Sequence, residues 1–241
     1  MKRTNRETTI QYIKSIPLPE QTRSYTVIPH GVIIDLIEKA IERCGFEVSK
    51  VRFISNHNYR ALYGTYYLKA DDDMYLTFNF TNSYDKTECF ISAPGLYVVL
   101  TDNNMLSDSS YWKRKHTGTS DMEAYDNINH SMIQAKYAFE EMKKDITAFK
   151  NANISPIEFG KLLGEMYARK LITSCELNDA WKYGKKPPID FNLPKGNVWI
   201  LYNAVLNAVK NSGIKKLMER QILIHSFFKE KFNVQPIFDL Q

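Results

Sequence analysis

Several features that mark well-known protein classes are missing from this sequence. Its 241 residues include three cysteines, Cys44, Cys89 and Cys175, which are odd in number, widely spaced and form no C-x-x-C pair. This pattern argues against a disulfide framework and predicts a reducing compartment. No apolar run approaches the length that spans a bilayer, and MKRTNRETTI at the start has no apolar stretch of a signal peptide. We therefore expect a cytoplasmic protein without a membrane partner.

Motifs for phosphate loops and metal ions are missing as well. The stretch GKLLGE at residues 160–165 does not fit a phosphate-binding loop, and the histidines show no H-x-H or H-x-x-x-H spacing. The acidic run Asp71–Asp73 falls between two predicted strands, where aspartate favours turns. We expect no cofactor and no bound metal.

What the sequence does contain is a mild excess of positive charge and many aromatic rings. Its formal net charge is +5, and tyrosine and phenylalanine, with 15 and 13 copies, supply most of the aromatic residues. This balance is compatible with a polyanionic partner but does not require one.

The order of the hydrophobic patterns predicts an α+β fold: an N-terminal helix plus an antiparallel β-meander, followed by a helical C-terminal half. Residues 1–29 are polar, with Pro17 and Pro19 in the stretch SIPLPEQT, which predicts an N-terminal arm. Residues 30–118 form the helix and sheet, with a break expected at Pro94–Gly95. Residues 119–241 form a helical region packed on the sheet as one domain, with mostly irregular structure over the glycine- and proline-bearing residues 174–196.

Two helix starts have the S-x-x-E pattern of a capping box. Ser120 with Glu123 opens a long helical pattern that runs to about residue 150. Ser155 with Glu158 opens the next one, with Pro156 at the first helical position. Both patterns predict reciprocal hydrogen bonds between the serine and the glutamate three residues later.

Residues 111–116, YWKRKH, place aromatic and basic side chains side by side just before the long helix. Cations neutralise phosphates and flat rings stack on bases, so this combination is typical of single-strand binding. The alternative is a solvated loop whose charges are balanced by Asp102, Asp108 and Asp121. The predicted nucleic-acid-binding residues are Arg60, Tyr111, Trp112, Lys113, Arg114 and Lys115.

A tyrosine-rich strand over residues 58–69 supports the same hypothesis. Alternation places Tyr59, Tyr63 and Tyr67 on one face, and Tyr66 on the other. Such a face can stack on single-stranded bases. The alternative is that these rings pack under the helices with their hydroxyl groups hydrogen-bonded.

Histidines are the main candidates for catalysis. His57, His116 and His130 are considered, and His116 is the predicted catalytic residue, as a general acid or base oriented by Asp121. Its nucleophile stays open among Ser109, Ser110 and Thr117. His30, just before a helix, and His225, inside one, are predicted to be structural.

Three landmarks occur in this order: NSYDKTECFISAPGLYVVLTDNNM, RKHTG at residues 114–118, and GNVWILYNAVLNAVK at residues 196–210. With them the chain resembles domain-of-unknown-function family 932, the phage/plasmid-like proteins. The resemblance covers most of the chain from about residue 50 to 230 and implies a phage or mobile-element origin, in which case the compartment is the host cytoplasm. The matching polar positions, without assigned roles, are Asn103, Arg114, His116, Trp199 and Asn203.

These observations together predict a phage or mobile-element protein that handles nucleic acid, with single-stranded DNA binding or annealing favoured. Two alternatives stay open: a phage factor that binds a host protein through its helical half, and a hydrolase or nuclease that uses His116. The sequence decides neither whether the protein is an enzyme nor whether it forms a homo-oligomer.

Overall fold

The computed structural model describes residues 6–56, 60–71, 73–86, 88–106, 110–210 and 214–232. In chain order the elements are β1 (Arg6–Glu7), α1 (Ile10–Ser15), α2 (His30–Arg43), β2 (Val48–Ser55), β3 (Ala61–Asp71), β4 (Met74–Ser83), β5 (Phe90–Val98), β6 (Asn103–Leu106), β7 (Trp112–Arg114), α3 (Ser120–Asn151), α4 (Pro156–Ala168), α5 (Ser174–Lys185), α6 (Val198–Val209) and α7 (Ile214–Lys231). The predicted α+β fold, a helix and an antiparallel sheet followed by a helical half, is confirmed.

The chain forms two compact units. Unit 1 comprises Met1–Tyr97 and Ser109–Phe139, and unit 2 comprises Val98–Asp108 and Glu140–Gln241. The domain division after residue 118 stays a prediction. Among the described residues, no helix is long and apolar enough to cross a membrane.

The sheet of unit 1 has the strand order β1–β2–β3–β4–β5, with β7 paired to β5. Neighbours from β1 to β4 run antiparallel, as expected for strands joined by short connections. Strand β5 continues from Phe90 to Val98, so the predicted break at Pro94–Gly95 is wrong. The segment predicted as an N-terminal arm contributes β1 at the sheet edge, and its side chains Ile13, Tyr25 and Ile28 are buried.

Helix α2 covers one face of this sheet because its apolar side chains recur at helical spacing. Ile33, Ile34, Ile37, Ala40 and Ile41 are buried on it. The hydroxyl group of Tyr66 on β3 donates to Oε1 of Glu38 on α2, 3.3 Å away. The even-numbered residues of β3 therefore form the face beneath α2.

Strand β4 is buried on both faces from Leu76 to Ser83, although its sequence alternates between apolar and polar residues. Two of its polar side chains hydrogen-bond within the sheet. Nδ2 of Asn79 donates to Oγ1 of Thr77 (3.1 Å), and Oγ1 of Thr65 donates to Oδ1 of Asn79 (2.9 Å). These bonds offset the cost of burying Thr77 and Asn79 in the interior.

The two predicted capping boxes have different outcomes. Ser155 and Glu158 form the predicted box at the start of α4. The box of Ser120 is not formed, since Glu123 N–H donates to the carbonyl of Thr119 and the Ser120 hydroxyl group has no partner in the described part of the chain. A threonine one residue earlier thus takes the position assigned to the serine.

Unit 2 packs helices α4, α5 and α7 around α6, which is buried along nearly its whole length. Helix α5 spans Ser174–Lys185, so the prediction of mostly irregular structure over 174–196 is wrong for its first half. A reciprocal box between Thr173 and Glu176 opens this helix. Its Gly184 permits close packing, because a Cβ there would lie 2.6 Å from Phe159.

Candidate functional site

The predicted basic segment forms strand β7 at the edge of the unit 1 sheet. Trp112 pairs with Ser92, and Arg114 pairs with Phe90, so both side chains lie on the same face as the buried Phe90. The ring of Trp112 is half-buried and meets the ring of Phe90 with centroids 5.5 Å apart. Trp112 therefore anchors the strand as well as offering part of its ring to solvent.

The charged side chains of this segment lie on different faces of β7 or beyond its end. Arg114 is bound by Glu123, with Nε 2.8 Å from Oε2 and Nη2 donating to Oε1 at 3.1 Å. Lys113 lies on the opposite face of β7, and Lys115 follows the strand; both are exposed. Tyr111 is half-buried. Both lysines of the segment are thus exposed to solvent, and a carboxylate neutralises its arginine.

His116 is buried, with 5% of its surface exposed. Neither ring nitrogen is hydrogen-bonded to a side chain in the described part of the chain, so the predicted pair with Asp121 is not formed. Its ring lies 5.6 Å from that of Tyr25, and its carbonyl accepts from Thr26 N–H at 2.9 Å. Burial lowers its pKa below 6.5, and the backbone of Thr26 opposes this only in part. His116 is therefore a neutral imidazole near pH 7.

A second histidine, His30, is completely buried close by. Its ring stacks on Tyr84, and its Nδ1 accepts from Nδ2 of Asn82 at 2.8 Å. The proton of the neutral ring then sits on Nε2, which bonds to no side chain among the described residues. Burial first, and repulsion by His116 second, lower the pKa of His30 to about 3. We call His30, His116, Tyr25, Tyr84 and Asn82 the histidine cluster.

Three segments of the chain that contact the histidine cluster each carry an exposed cationic residue. Nζ of Lys86 lies 4.8 Å from the ring centroid of Tyr25. Lys115 directly precedes His116, and the carbonyl of Arg60 accepts from Tyr84 N–H at 2.6 Å. None of these three side chains has an ion-pair partner within the described ranges. We call Arg60, Lys86 and Lys115 the cationic rim.

One carboxylate, Asp85, is half-buried beside the rim, and its Oδ2 accepts from Nδ2 of Asn56 at 3.4 Å. Burial is the larger cause that raises the pKa of Tyr25 to about 12, and the negative charge of Asp85 acts in the same direction. The hydroxyl group of Tyr25 accordingly stays protonated and donates to the carbonyl of Ser83 at 2.8 Å. The site therefore combines neutral buried hydrogen-bonding groups with positive charges at the surface.

The predicted tyrosine face is divided by the structure. Tyr63 is buried with its hydroxyl group donating to Oε1 of Glu88 at 3.3 Å, and Tyr66 lies under α2. Tyr67 is half-buried and meets the rings of Tyr75 and Tyr97, with centroids 6.4 and 5.1 Å away. The alternative interpretation, packing under the helices, therefore applies to Tyr66. Tyr67 instead belongs to a half-exposed group of three rings.

Most residues of the histidine cluster are not predicted as site residues from the sequence. Asn82 and Tyr84, with Lys86 of the rim, lie in the stretch NSYDK, which the sequence marks only as the beginning of the first landmark, and His30 is predicted to be structural. One sequence signal could have indicated these residues. The alternating apolar residues of β4 give way to five consecutive polar or aromatic ones at residues 82–86. His130 is exposed on α3, whereas His57, Tyr59 and Ser109 lie outside the described residues.

Three of the landmark positions come together in unit 2. Nδ2 of Asn103 donates to Oδ1 of Asn203 at 2.7 Å, although the two residues are 100 positions apart. Nδ2 of Asn203 in turn donates to the carbonyl of Trp199 at 2.9 Å. All three side chains are buried. Their arrangement is that of an interior hydrogen-bond network that ties β6 to α6.

No group of His, Cys, Asp and Glu side chains in the described part of the chain could hold a metal ion. Comparisons with family models, curated proteins and solved structures found no match to this chain. The resemblance to family 932 stays a prediction.

Proposed function

We propose that unit 1 binds single-stranded nucleic acid, with DNA favoured, along the cationic rim. The observation that carries this proposal is the meeting of Arg60, Lys86 and Lys115, exposed and without ion pairs among described residues, around one polar cluster. Cations that no carboxylate neutralises are free to replace the counterions of a phosphate backbone. The phage or mobile-element setting belongs to the same proposal.

The proposal assigns different roles within the predicted basic segment. Lys115 and Lys113 are exposed and contact phosphates, whereas Arg114 is held by Glu123 and mainly fixes β7 to α3. Tyr111 and Trp112 are half-buried and offer ring surface for stacking, which contributes about 1–3 kcal/mol per base.

Strand annealing is the more specific form of this function. A helix, an antiparallel meander and a following long helix is also the element order of phage and Rad-type annealing proteins, although fold alone does not determine function. An annealing protein would speed the pairing of complementary strands and form rings or filaments on single strands. A monomer bound to one oligonucleotide would instead indicate simple binding.

A salt titration of oligonucleotide binding tests the proposal. Each phosphate contact contributes about 0.7 to the slope of log affinity against log salt for a single strand, so Arg60→Ala/Lys115→Ala should lower the slope by about 1.4. The matched control is Lys39→Ala/Lys136→Ala, which removes two exposed lysines of α2 and α3 in the same unit. Equal slopes for both double variants would refute the assignment to the rim.

A second candidate, hydrolysis of a phosphodiester or small substrate, is favoured by one observation. His116 is a neutral, almost fully buried imidazole whose ring nitrogens bond to no side chain among the described residues, which suits proton transfer. We expect His116→Ala to abolish turnover while His116→Gln, tested in parallel, keeps the fold. If turnover is found and survives both substitutions, His116 takes no part in the reaction.

A further inference from the structure

Two adjoining pockets lie wholly within unit 2, next to the irregular segment after α5. The smaller, of about 120 Å³, is lined by apolar side chains that include Phe159, Trp181 and Leu201. The larger, of about 270 Å³, is lined among others by Phe191, Ile200 and Asp190. Lys185, Lys195 and Gly184 line both pockets and so stand where the two pockets join.

We propose that these pockets bind a mononucleotide, with its base in the smaller pocket and its phosphate at Lys185 and Lys195. Each pocket is below the roughly 300 Å³ at which sites for drug-sized ligands begin, so the pair suits one ring system with a short charged tail. The proposal concerns unit 2 and is independent of strand binding by unit 1.

The walls of the smaller pocket are suited to a flat aromatic ring. Trp181 and Phe159 stack on each other, with centroids 5.8 Å apart and planes 16° apart, so a base would extend this stack rather than enter between the two rings. Pro156 and Leu201 complete an apolar lining. Aromatic and apolar side chains bind a base through stacking and burial with little dependence on its identity.

The charges at the junction of the pockets are suited to a phosphate group. Lys185 and Lys195 are exposed and have no carboxylate within ion-pair distance among the described residues. The ammonium group of Lys185 rests 4.5 Å from the ring centroid of Trp181, which holds the positive charge at the pocket mouth. Two cationic side chains that line the same pair of pockets attract an anion more strongly than either does alone.

Helix α4 also begins at the smaller pocket, but its N-terminus is not the anion site. Ser155 accepts from Glu158 N–H, and the carboxylate of Glu158 accepts from Ser155 N–H at 2.7 Å. This reciprocal cap already satisfies the helix end with a negative charge. Recognition of the phosphate therefore falls to the two lysines.

Asp190 limits how much negative charge the larger pocket accepts. Its Oδ1 accepts from Asn192 N–H at 2.9 Å, and its carboxylate lines the larger pocket. A chain of several phosphates that extends from the junction into the larger pocket would meet this carboxylate. The lining thus favours one phosphate over three.

Calorimetric titration of the full chain with adenosine monophosphate, adenosine and inorganic phosphate tests the proposal. We expect adenosine monophosphate to bind with a Kd below about 1 mM at low salt, and both fragments to bind at least about tenfold more weakly. Lys185→Ala/Lys195→Ala should weaken binding of the monophosphate about tenfold or more, because charged hydrogen bonds are lost.

The matched control is Lys182→Ala/Lys186→Ala, which removes two exposed lysines from the same segment that line neither pocket. It should bind the monophosphate as the unaltered protein does, and so should Arg60→Ala/Lys115→Ala in unit 1. The proposal is overturned if the monophosphate produces no binding heat, if inorganic phosphate binds as tightly, or if the control variant loses as much affinity as the pocket variant.

Discussion

The imidazole ring of His30 lies flat against the phenol ring of Tyr84, with centroids 3.8 Å apart and planes 11° apart. The hydroxyl group of the same tyrosine accepts from His30 N–H at 2.7 Å, so the two residues hold each other at two points. This contact closes one side of the histidine cluster and fixes the start of α2 against the end of β4. The neutral imidazole of His30 has a measurable consequence for the free energy of unfolding.

We predict that the free energy of unfolding decreases in acid because of His30. Its pKa is lowered by burial from 6.5 to about 3, so below pH 6.5 the unfolded chain binds a proton that the folded chain does not. Stability is then constant above that pH and falls by about 1.4 kcal/mol per pH unit well below it. His116, whose pKa is also lowered, acts in the same direction.

Urea unfolding at a series of pH values measures this effect. His30→Gln should be less stable near neutrality but should lose a smaller part of its stability in acid. His130→Gln, which changes an exposed histidine of α3, should keep the pH profile of the unaltered protein. Identical profiles for all three proteins would show that protonation of His30 does not oppose folding.

Two glycines offer opposite predictions for the same substitution. A Cβ on Gly64 of β3 would overlap the ring of Phe80, whereas Gly164 in α4 has no neighbouring atom within 4 Å of such a Cβ. Gly64→Ala should destabilise unit 1 by about 1–3 kcal/mol through overpacking. Gly164→Ala should stabilise the protein by about 0.5–1 kcal/mol, since alanine is the better helix former. Thermal and urea unfolding of both variants gives the comparison.

We predict a structural role for the network that links Asn103 to Asn203. Asn203→Ala leaves the Asn103 amide group buried without its 2.7 Å partner, which should cost about 1–3 kcal/mol. Asn103→Ala should cost a similar amount, and the double variant should cost less than the sum of both. Urea unfolding measures all three; additive losses would mean that the two side chains do not depend on each other.

Local sequence signals predicted much of the fold. Ser155, Pro156 and Glu158 lie within four positions of one another, and the box they predict is formed. Thr173 and Glu176 carry an equally local signal, which the glycine and prolines that follow them obscured. Ser120 failed because Thr119, one residue earlier, competes for the same helix end.

The candidate site was less predictable because its contacts are distant in the sequence. Asn82 and His30 are 52 positions apart, and the bond between them depends on how α2 lies on the sheet. The positive charge of Arg114 is visible in the sequence. Its neutralisation by Glu123 depends on how the chain between β7 and α3 turns. Patterns of residue type indicate which side chains are available and leave their partners undetermined.

The burial of His116 sets a condition on any chemistry at that residue. A molecule that is to touch its ring nitrogens must first make room, because hardly any of the imidazole faces water. The free energy of that opening is subtracted from the intrinsic affinity of whatever enters. A ligand at this position would therefore need enough contacts with the opened site to offset the free energy of opening.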